Sequence, residues 1–329
     1  MISIGIPSYN GENWIEKTLR SILSQDFSDY EIVISDDHST DNTLQKIQSI
    51  HDPRIKVFVN DINVGYGKNL KILNTHLSGD IIFLMGQDDI LLKGALRKTY
   101  NAFMLDDEIG AVTRPYFWFQ TDITSPVRAV FPYDNTRDAV LSIWDSVNAF
   151  NKIFESVGQL SGLAYRRAYM DVDFHDDIFP AHIYPFASIS KKHKIVFLKD
   201  FTVAVRIESS QTRFLSKIYE VSPTSAWIKM FKTVYSEERF LPIQKHGIDL
   251  ICSHFVGLIQ IKNYSSIRNL LREIRILIVN RPLNLLNLKF WLFCAGTVCM
   301  PRRLLRLTVD KLKKLSLGSK PIEISSLLP

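Results

Sequence analysis

The sequence predicts an α/β fold: a mostly parallel sheet flanked by helices, with a helical, basic C-terminal extension. Three observations carry this. Short apolar runs alternate with helical patterns over the first 120 residues, polar residues cluster directly after each run, and the charge balance changes near Lys262. At 329 residues and 46% hydrophobic, the chain is long enough for one large domain plus an appendage.

The first strand is Ile2-Ser3-Ile4-Gly5-Ile6, and Trp14, Ile15, Leu19, Ile22 and Leu23 form the helical face after it. Residues 31–34 form the second strand, with Leu44, Ile47 and Ile50 on the following helix. Residues 55–59 and 81–85 supply the third and fourth. A βαβαβ series of this kind places ligand sites in the crevice beyond the carboxyl ends of the strands. The polar residues that follow each strand should therefore converge.

After the first strand comes Pro7-Ser8-Tyr9-Asn10, where Pro7 stiffens the exit and Tyr9 offers a flat face on which a base could stack. After the second comes Ser35-Asp36-Asp37-His38-Ser39-Thr40-Asp41, whose tail is an ordinary helix-start signal. Asp36 and Asp37 sit at the strand tip itself, where a carboxylate can accept the imide N–H of a uracil or thymine, or ribose hydroxyls. The third junction, residues 60–69, has glycines for a tight passage, and Asn63, Lys68 and Asn69 as partners for a base or phosphate. A plain Gly/Asn turn before a helix would look the same. The fourth is Gly86-Gln87-Asp88-Asp89. Two adjacent carboxylates after a buried strand need a positive partner, and Mg2+ or Mn2+ bound through one or two carboxylates plus diphosphate oxygens would supply it. Alternatively, Asp89 caps a helix over residues 91–100, which accounts for one Asp but not both.

Together these junctions, in IGIPSYNGENWIEKTLRSILSQ, IVISDDHSTDNT, NVGYGKN and GDIIFLMGQDDIL, resemble glycosyltransferase family 2, enzymes of the GT-A fold that move a sugar from a nucleotide-diphosphate donor to an acceptor. The resemblance covers about the first 105 residues. It implies that Asp36 contacts the base and that Pro7, Tyr9, Asn10, Glu12, Asp37, Asn63, Lys68, Asn69 and Gln87 line the nucleotide site. It also implies that Asp88 holds the divalent metal beside a catalytic Asp89. The chain departs from the family at Gly86, which stands where the first Asp of Asp-x-Asp-Asp is usual. NVGYGKN and the G-x-D-D form look like bacterial transferases that build O-antigen and related surface polysaccharides.

Ser161 to Arg167 resembles the strand before the family's acceptor site, and residues 179–207 resemble the segment that commonly carries a Glu-Asp pair whose Asp is the general base. Here those places are His182 and Ile183. An imidazole can take a proton near neutral pH, so His182 is the first candidate base and Asp177 the second. A packed structural histidine is the plainer alternative.

The resemblance implies an inverting hexosyl- or deoxyhexosyl-transferase acting on a lipid-linked (polyprenyl diphosphate) saccharide, cytoplasmic and peripheral on the inner face of the membrane. A catalytically weak, membrane-bound sugar-nucleotide binding subunit is the alternative. Residues 1–215 form the expected GT-A domain, with a nucleotide-sugar half over 1–105 and an acceptor half over 106–215. Residues 216–329 form the helical C-terminal region.

Three cysteines without CxxC or His-rich spacing support neither a disulfide framework nor zinc, and fit a reducing compartment. The N-terminus reads as a strand and not as a signal peptide. Thirteen of the 40 Lys/Arg, but three of the 34 Asp/Glu, lie at or after Lys262. Residues 290–300 are apolar but shorter than the roughly 20 residues a spanning helix needs. With Arg302, Arg303, Lys311, Lys313 and Lys314 after them, they fit a helix lying on an anionic membrane surface, or else a hairpin packed on the domain. Nucleic acid is disfavoured, because the acidic front region lacks a basic groove with interleaved aromatics.

Overall fold

The computed structural model describes residues 1–208 and 216–305, so Lys311, Lys313 and Lys314 lie outside the described residues. Those described fall into two compact units, one of residues 1–176 and 181–208, the other of residues 177–180 and 216–305.

The first unit has twelve strands: β1 (Ile2–Ser8), β2 (Tyr30–Asp36), β3 (Ile55–Val59), β4 (Ile81–Leu84), β5 (Ile90–Leu91), β6 (Ile109–Thr113), β7 (Tyr116–Phe119), β8 (Pro126–Val130), β9 (Ala139–Leu141), β10 (Ala164–Arg166), β11 (Lys194–Phe197) and β12 (Val203–Arg206). Its helices are α1 (Ile15–Leu23), α2 (Thr43–Gln48), α3 (Tyr66–His76), α4 (Ala95–Phe103), α5 (Val147–Ser156) and α6 (Ile183–Ser190). Eight strands form one sheet in the order β3-β2-β1-β4-β10-β6-β11-β9, and β5-β12-β7-β8 form a smaller one. The four expected strands are all present, and β1 pairs in parallel with both β2 and β4. Every residue of β1, β2 and β4 is buried, as expected of parallel strands covered on both faces.

The chain steps outward from β1 through β2 to β3, then returns to place β4 on the other side of β1. The crevice between the β1 and β4 tips is therefore the topological switch point, the place where an open α/β sheet parts to admit a ligand.

One local expectation changes. A helix over residues 91–100 would have let Asp89 cap it, but Ile90–Leu91 pair with β12 as β5, and α4 begins at Ala95 behind Gly94 in the left-handed region (φ 73°). Asp89 caps nothing, which leaves its carboxylate for tertiary contacts.

The second unit is helical, with α7 (Pro223–Val234), α8 (Leu241–Ser253), α9 (Gly257–Tyr264), α10 (Ile267–Asn280) and α11 (Leu288–Cys299). Its core gathers Cys252, Phe255, Leu258, Leu270, Leu277, Phe290 and Cys294. Part of the apolar 290–300 run is thus core. No described helix is long and apolar enough to cross a membrane.

Candidate functional site

At the β1 tip the backbone turns through Asn10, whose φ of 48° lies in the left-handed region that Asn tolerates. Its side-chain oxygen accepts from Thr40 N (2.9 Å), while Asn10 N donates to Ser39 Oγ (2.9 Å). Glu12 accepts from both nitrogens of Asn42 (3.0 and 2.9 Å). The first junction is thereby clasped to the second. In the parallel register Ser8 lies opposite Asp36.

Asp36 is fully buried, and its two oxygens accept from Ser39 N (2.8 Å) and Ser39 Oγ (2.7 Å). Asp37 does a different job. Its carboxylate takes Val64 N and Gly65 N (2.8 Å each) and Asn60 Nδ2 (3.0 Å), which fixes the third junction. Asn69 is buried between Ser35 and Asn60, accepting from each and donating to the Ser35 carbonyl, so it ties α3 to β2. Asn63 and Lys68 are exposed. Gly67 is needed for closeness, since a Cβ there would sit 2.6 Å from the His175 carbonyl oxygen.

Across the switch point Gln87 turns back onto the first junction. Its Oε1 accepts from Ser8 Oγ (2.9 Å) and Tyr9 N (3.0 Å), and its Nε2 donates to the Tyr9 carbonyl (2.9 Å). A Cβ on Gly11 would lie 2.3 Å from Gln87 Oε1, so glycine there admits the contact. Gln87 is a brace between β1 and β4, with both ends of its amide already used.

Asp88 is partly buried and Asp89 buried. Asp89 Oδ1 accepts from Arg206 N (2.7 Å), and Asp89 Oδ2 accepts from Ser161 Oγ, which itself accepts from Gly86 N (2.8 Å). Burial, and then the neighbouring Asp88 charge, push the Asp89 carboxyl well above its usual range. Arg206 brings positive charge to the acidic pair. Its Nε donates to the Asp88 carbonyl (3.1 Å), and its guanidinium stacks between the Trp14 and Phe119 rings at 4.3 and 4.5 Å. Burial lowers the Arg206 pKa, an effect opposed by Asp88, Asp89 and Glu208. Neither Ser161 nor Arg206 stands out in the sequence as part of this edge, because they approach from 72 and 117 residues away.

Among the described residues no group of three or more His, Cys, Asp or Glu is placed to hold a metal ion. Gly86 offers no ligand, and a Cβ built on it would lie 2.9 Å from Asp89 Oδ2 and 3.0 Å from Asp88 Oδ1. With Asp89 engaged, Asp88 is the carboxylate of this motif through which a Mg2+ or Mn2+ would have to be held, with phosphate oxygens and water in the remaining positions.

The two candidate bases are differently placed. His182 precedes α6, with Nδ1 3.2 Å from the Tyr66 hydroxyl and Nε2 3.2 Å from the Val157 carbonyl. The carbonyl can only accept, so Nε2 carries the proton and Nδ1 takes the tyrosine O–H. Burial lowers the His182 pKa to about 4. Its surroundings are those of a neutral, packed histidine. Asp177 lies in the second unit, ion-paired with Lys229 at 3.1 Å.

Residues 3–158 match the family described as glycosyl transferase family 2. Among curated proteins the chain is 39% identical over 99 residues to the GalNAc(5)-diNAcBac-PP-undecaprenol beta-1,3-glucosyltransferase of Campylobacter jejuni, covering 29% of this chain and 32% of that one. The chain spans 32% to 57% of the length of the first three curated relatives it matches. Its fold is like that of S. aureus TarS 1-349 in complex with UDP (TM-score 0.63, 17% identity, 98% of this chain and 92% of that one). It is also like that of the mannosyltransferase PcManGT from Pyrobaculum calidifontis in complex with GDP-Man and Mn2+ (TM-score 0.56, 14% identity, 97% and 87%).

Proposed function

We propose, because residues 3–158 match glycosyl transferase family 2 and the fold is like that of S. aureus TarS, that the chain is an inverting glycosyltransferase. It would move a hexosyl or deoxyhexosyl group from a nucleotide-diphosphate sugar to a lipid-linked saccharide, in the building of a bacterial surface polysaccharide of the O-antigen kind. The observation that carries this reading is the meeting of the Tyr9, Asp36 and Gln87-Asp88 junctions at the switch point of one sheet, inside the matched segment. The undecaprenol diphosphate in the name of the Campylobacter relative supports a polyprenyl-diphosphate acceptor, and through it a site of action at the inner membrane surface.

The roles follow from the contacts. Tyr9 offers the face on which the base stacks, and Asp36, held rigid by Ser39, accepts from its edge. Asp37 keeps the 63–65 turn in place, and Asn63 and Lys68 on and after that turn would reach the nucleotide. Asp88 would hold a Mg2+ or Mn2+, which when bound neutralises charge on the diphosphate leaving group. Ser161 and Arg206 hold the Asp89 carboxylate, and Arg206 also holds the Asp88 carbonyl, which fixes the backbone that carries Asp88. Inversion requires the acceptor oxygen to attack opposite the diphosphate and lose its proton to a base. His182 could take that proton only by giving up the Tyr66 hydroxyl. The domain boundaries that accompany this reading are 1–215 for the transferase and 216–329 for the C-terminal region.

A second reading, a catalytically weak sugar-nucleotide binding subunit, is favoured by Gly86 and by the engaged His182. The test is thermal shift against UDP-, TDP- and GDP-sugars with and without Mn2+, followed by transfer of labelled sugar to a polyprenyl-diphosphate saccharide. A ligand that binds only the folded chain raises the melting temperature by mass action. Stabilisation with transfer supports the enzyme, stabilisation without transfer supports the subunit, and no stabilisation by any nucleotide overturns both.

A further inference from the structure

Residues 282–292 of the second unit, Pro-Leu-Asn-Leu-Leu-Asn-Leu-Lys-Phe-Trp-Leu, invert the usual rule of burial. Pro282–Leu286 form a 3-10 turn that leads into α11. On it the leucines are outside and the asparagine inside: Leu286 is 86% exposed, Leu288 74% and Leu292 63%, while Asn284 is 0% exposed. Leu283, Leu285 and Trp291 are also exposed.

This arrangement is built and not merely loose. Asn284 Nδ2 donates to the carbonyls of Cys252 (3.0 Å) and Leu277 (3.1 Å), and its oxygen accepts from Arg281, whose Nε also reaches Asp249 (2.8 Å). Asn287 caps α11 through Lys289 N (3.0 Å), and the Trp291 indole N–H is satisfied by the Leu285 carbonyl (2.9 Å). The polar groups of the turn are thus spent on holding its shape, and the surface left over is aliphatic and aromatic. α11 itself buries Phe290, Cys294 and Thr297 and turns Leu288, Trp291, Leu292, Ala295 and Val298 outward, so it is apolar on both faces.

We infer that the Pro282–Leu286 turn and the outer face of α11 form a preshaped wedge that enters the interfacial layer of an anionic bilayer. Charge chooses this occupant over a second copy or a soluble partner. Residues 274–305 contain no Asp or Glu, and Lys289 within α11 and Arg302 and Arg303 just after it are exposed. A Trp at the rim with its polar group satisfied suits a membrane interface. At 12 residues α11 is about 18 Å long, against a hydrocarbon core of about 30 Å, so it lies in the surface and does not span. This names the contact behind the membrane-surface part of the function proposed above, but it does not depend on transferase activity.

The test uses the full chain and sedimentation with phosphatidylcholine vesicles containing 30 mol% phosphatidylglycerol, in parallel with lipids brominated on the acyl chain. Wild type should sediment and lose Trp fluorescence to the brominated lipid, and Trp291→Phe should abolish most of that quenching while still sedimenting. Leu286→Asp together with Leu288→Asp should lower the partition coefficient at least tenfold with an unchanged circular dichroism spectrum. Should that variant misfold, Lys289→Glu with Arg303→Glu serves instead, and should weaken binding to anionic vesicles several-fold while sparing the apolar face. Wild type remaining in the supernatant at low salt overturns the wedge. So does a concentration-dependent dimer that Leu286→Asp dissociates, which would give this face to a second copy. Nucleotide binding measured by calorimetry on the same samples keeps the two readings apart: its loss bears on the transferase, and vesicle release alone bears on the wedge.

Discussion

The main-chain N–H of Arg206 donates to Asp89 Oδ1 at 2.7 Å, while the guanidinium of the same residue reaches back to the Asp88 carbonyl. One residue from the far end of the unit thus holds both members of the acidic pair, through two different groups. Asp89 becomes an internal strut by this contact, whereas Asp88 is held through its main-chain carbonyl.

The two aspartates should therefore respond differently to the same substitution. Asp88→Asn is expected to remove the Mg2+ or Mn2+ dependence of donor turnover and most of the rate with it, at unchanged melting temperature. Steady-state assays across a metal titration check this, and a wild-type metal response in the variant would remove Asp88 from the metal.

Asp89→Asn should fold and melt near wild type at neutral pH, because the amide can still accept from Arg206 N and face Ser161. Asp89→Ala should lose about 1–3 kcal/mol, the cost of unpaired buried groups. The sign of the pH effect follows from the raised pKa: the unfolded chain releases the Asp89 proton at a pH where the folded chain keeps it. Stability is full below the ordinary aspartate pKa and declines as pH rises through the folded one. Denaturant titrations should show that decline in wild type and lose it in Asp89→Asn.

His182 gives the opposite slope. Its pKa is lowered to about 4, so the unfolded chain takes up a proton at a pH where the folded chain has not. Its contribution is complete above the ordinary histidine pKa and is lost as pH falls toward 4, up to about 3 kcal/mol in all. His182→Gln should flatten stability between pH 6.5 and 4. If this residue is packing and not the base, the pH profile of kcat will stay where it was.

Replacing Asp36 by Ala should weaken nucleotide binding by about 1–3 kcal/mol, since the base N–H would lose its acceptor in a buried place. Calorimetric titration with UDP and TDP reads this directly. Unchanged affinity for the tighter ligand would take Asp36 out of the site.

The first four strands were legible because apolar runs bounded by polar clusters are a local signal, and the switch point followed from their order. Asp89 capping a helix was a local inference as well, and it failed because β12 recruits Ile90 and Leu91 as a strand. Gln87 and Asn69 read from the sequence as ligand contacts, and the packed structure adds that their amides also tie elements together. Ser161 and Arg206 reach the edge through β10 and β12, antiparallel and cross-sheet neighbours that no short window connects. In the C-terminal region the apolar run was noticed, but its division was not: Phe290 and Cys294 are core, and the outward surface begins earlier, at Leu283.

Gly86 sets a limit on redesigning this edge. The place where a family member would carry its first Asp is closed here by the oxygens of Asp88 and Asp89, the second of them locked by Ser161 and Arg206. Putting an aspartate back at 86 would force a third carboxylate against two others and push on the strut. Ser161 and Arg206 hold Asp89 around a residue without a side chain, so Gly86→Asp would need one of them changed with it. A set of three carboxylates at this edge is therefore reached by changing several residues together and not by Gly86→Asp alone.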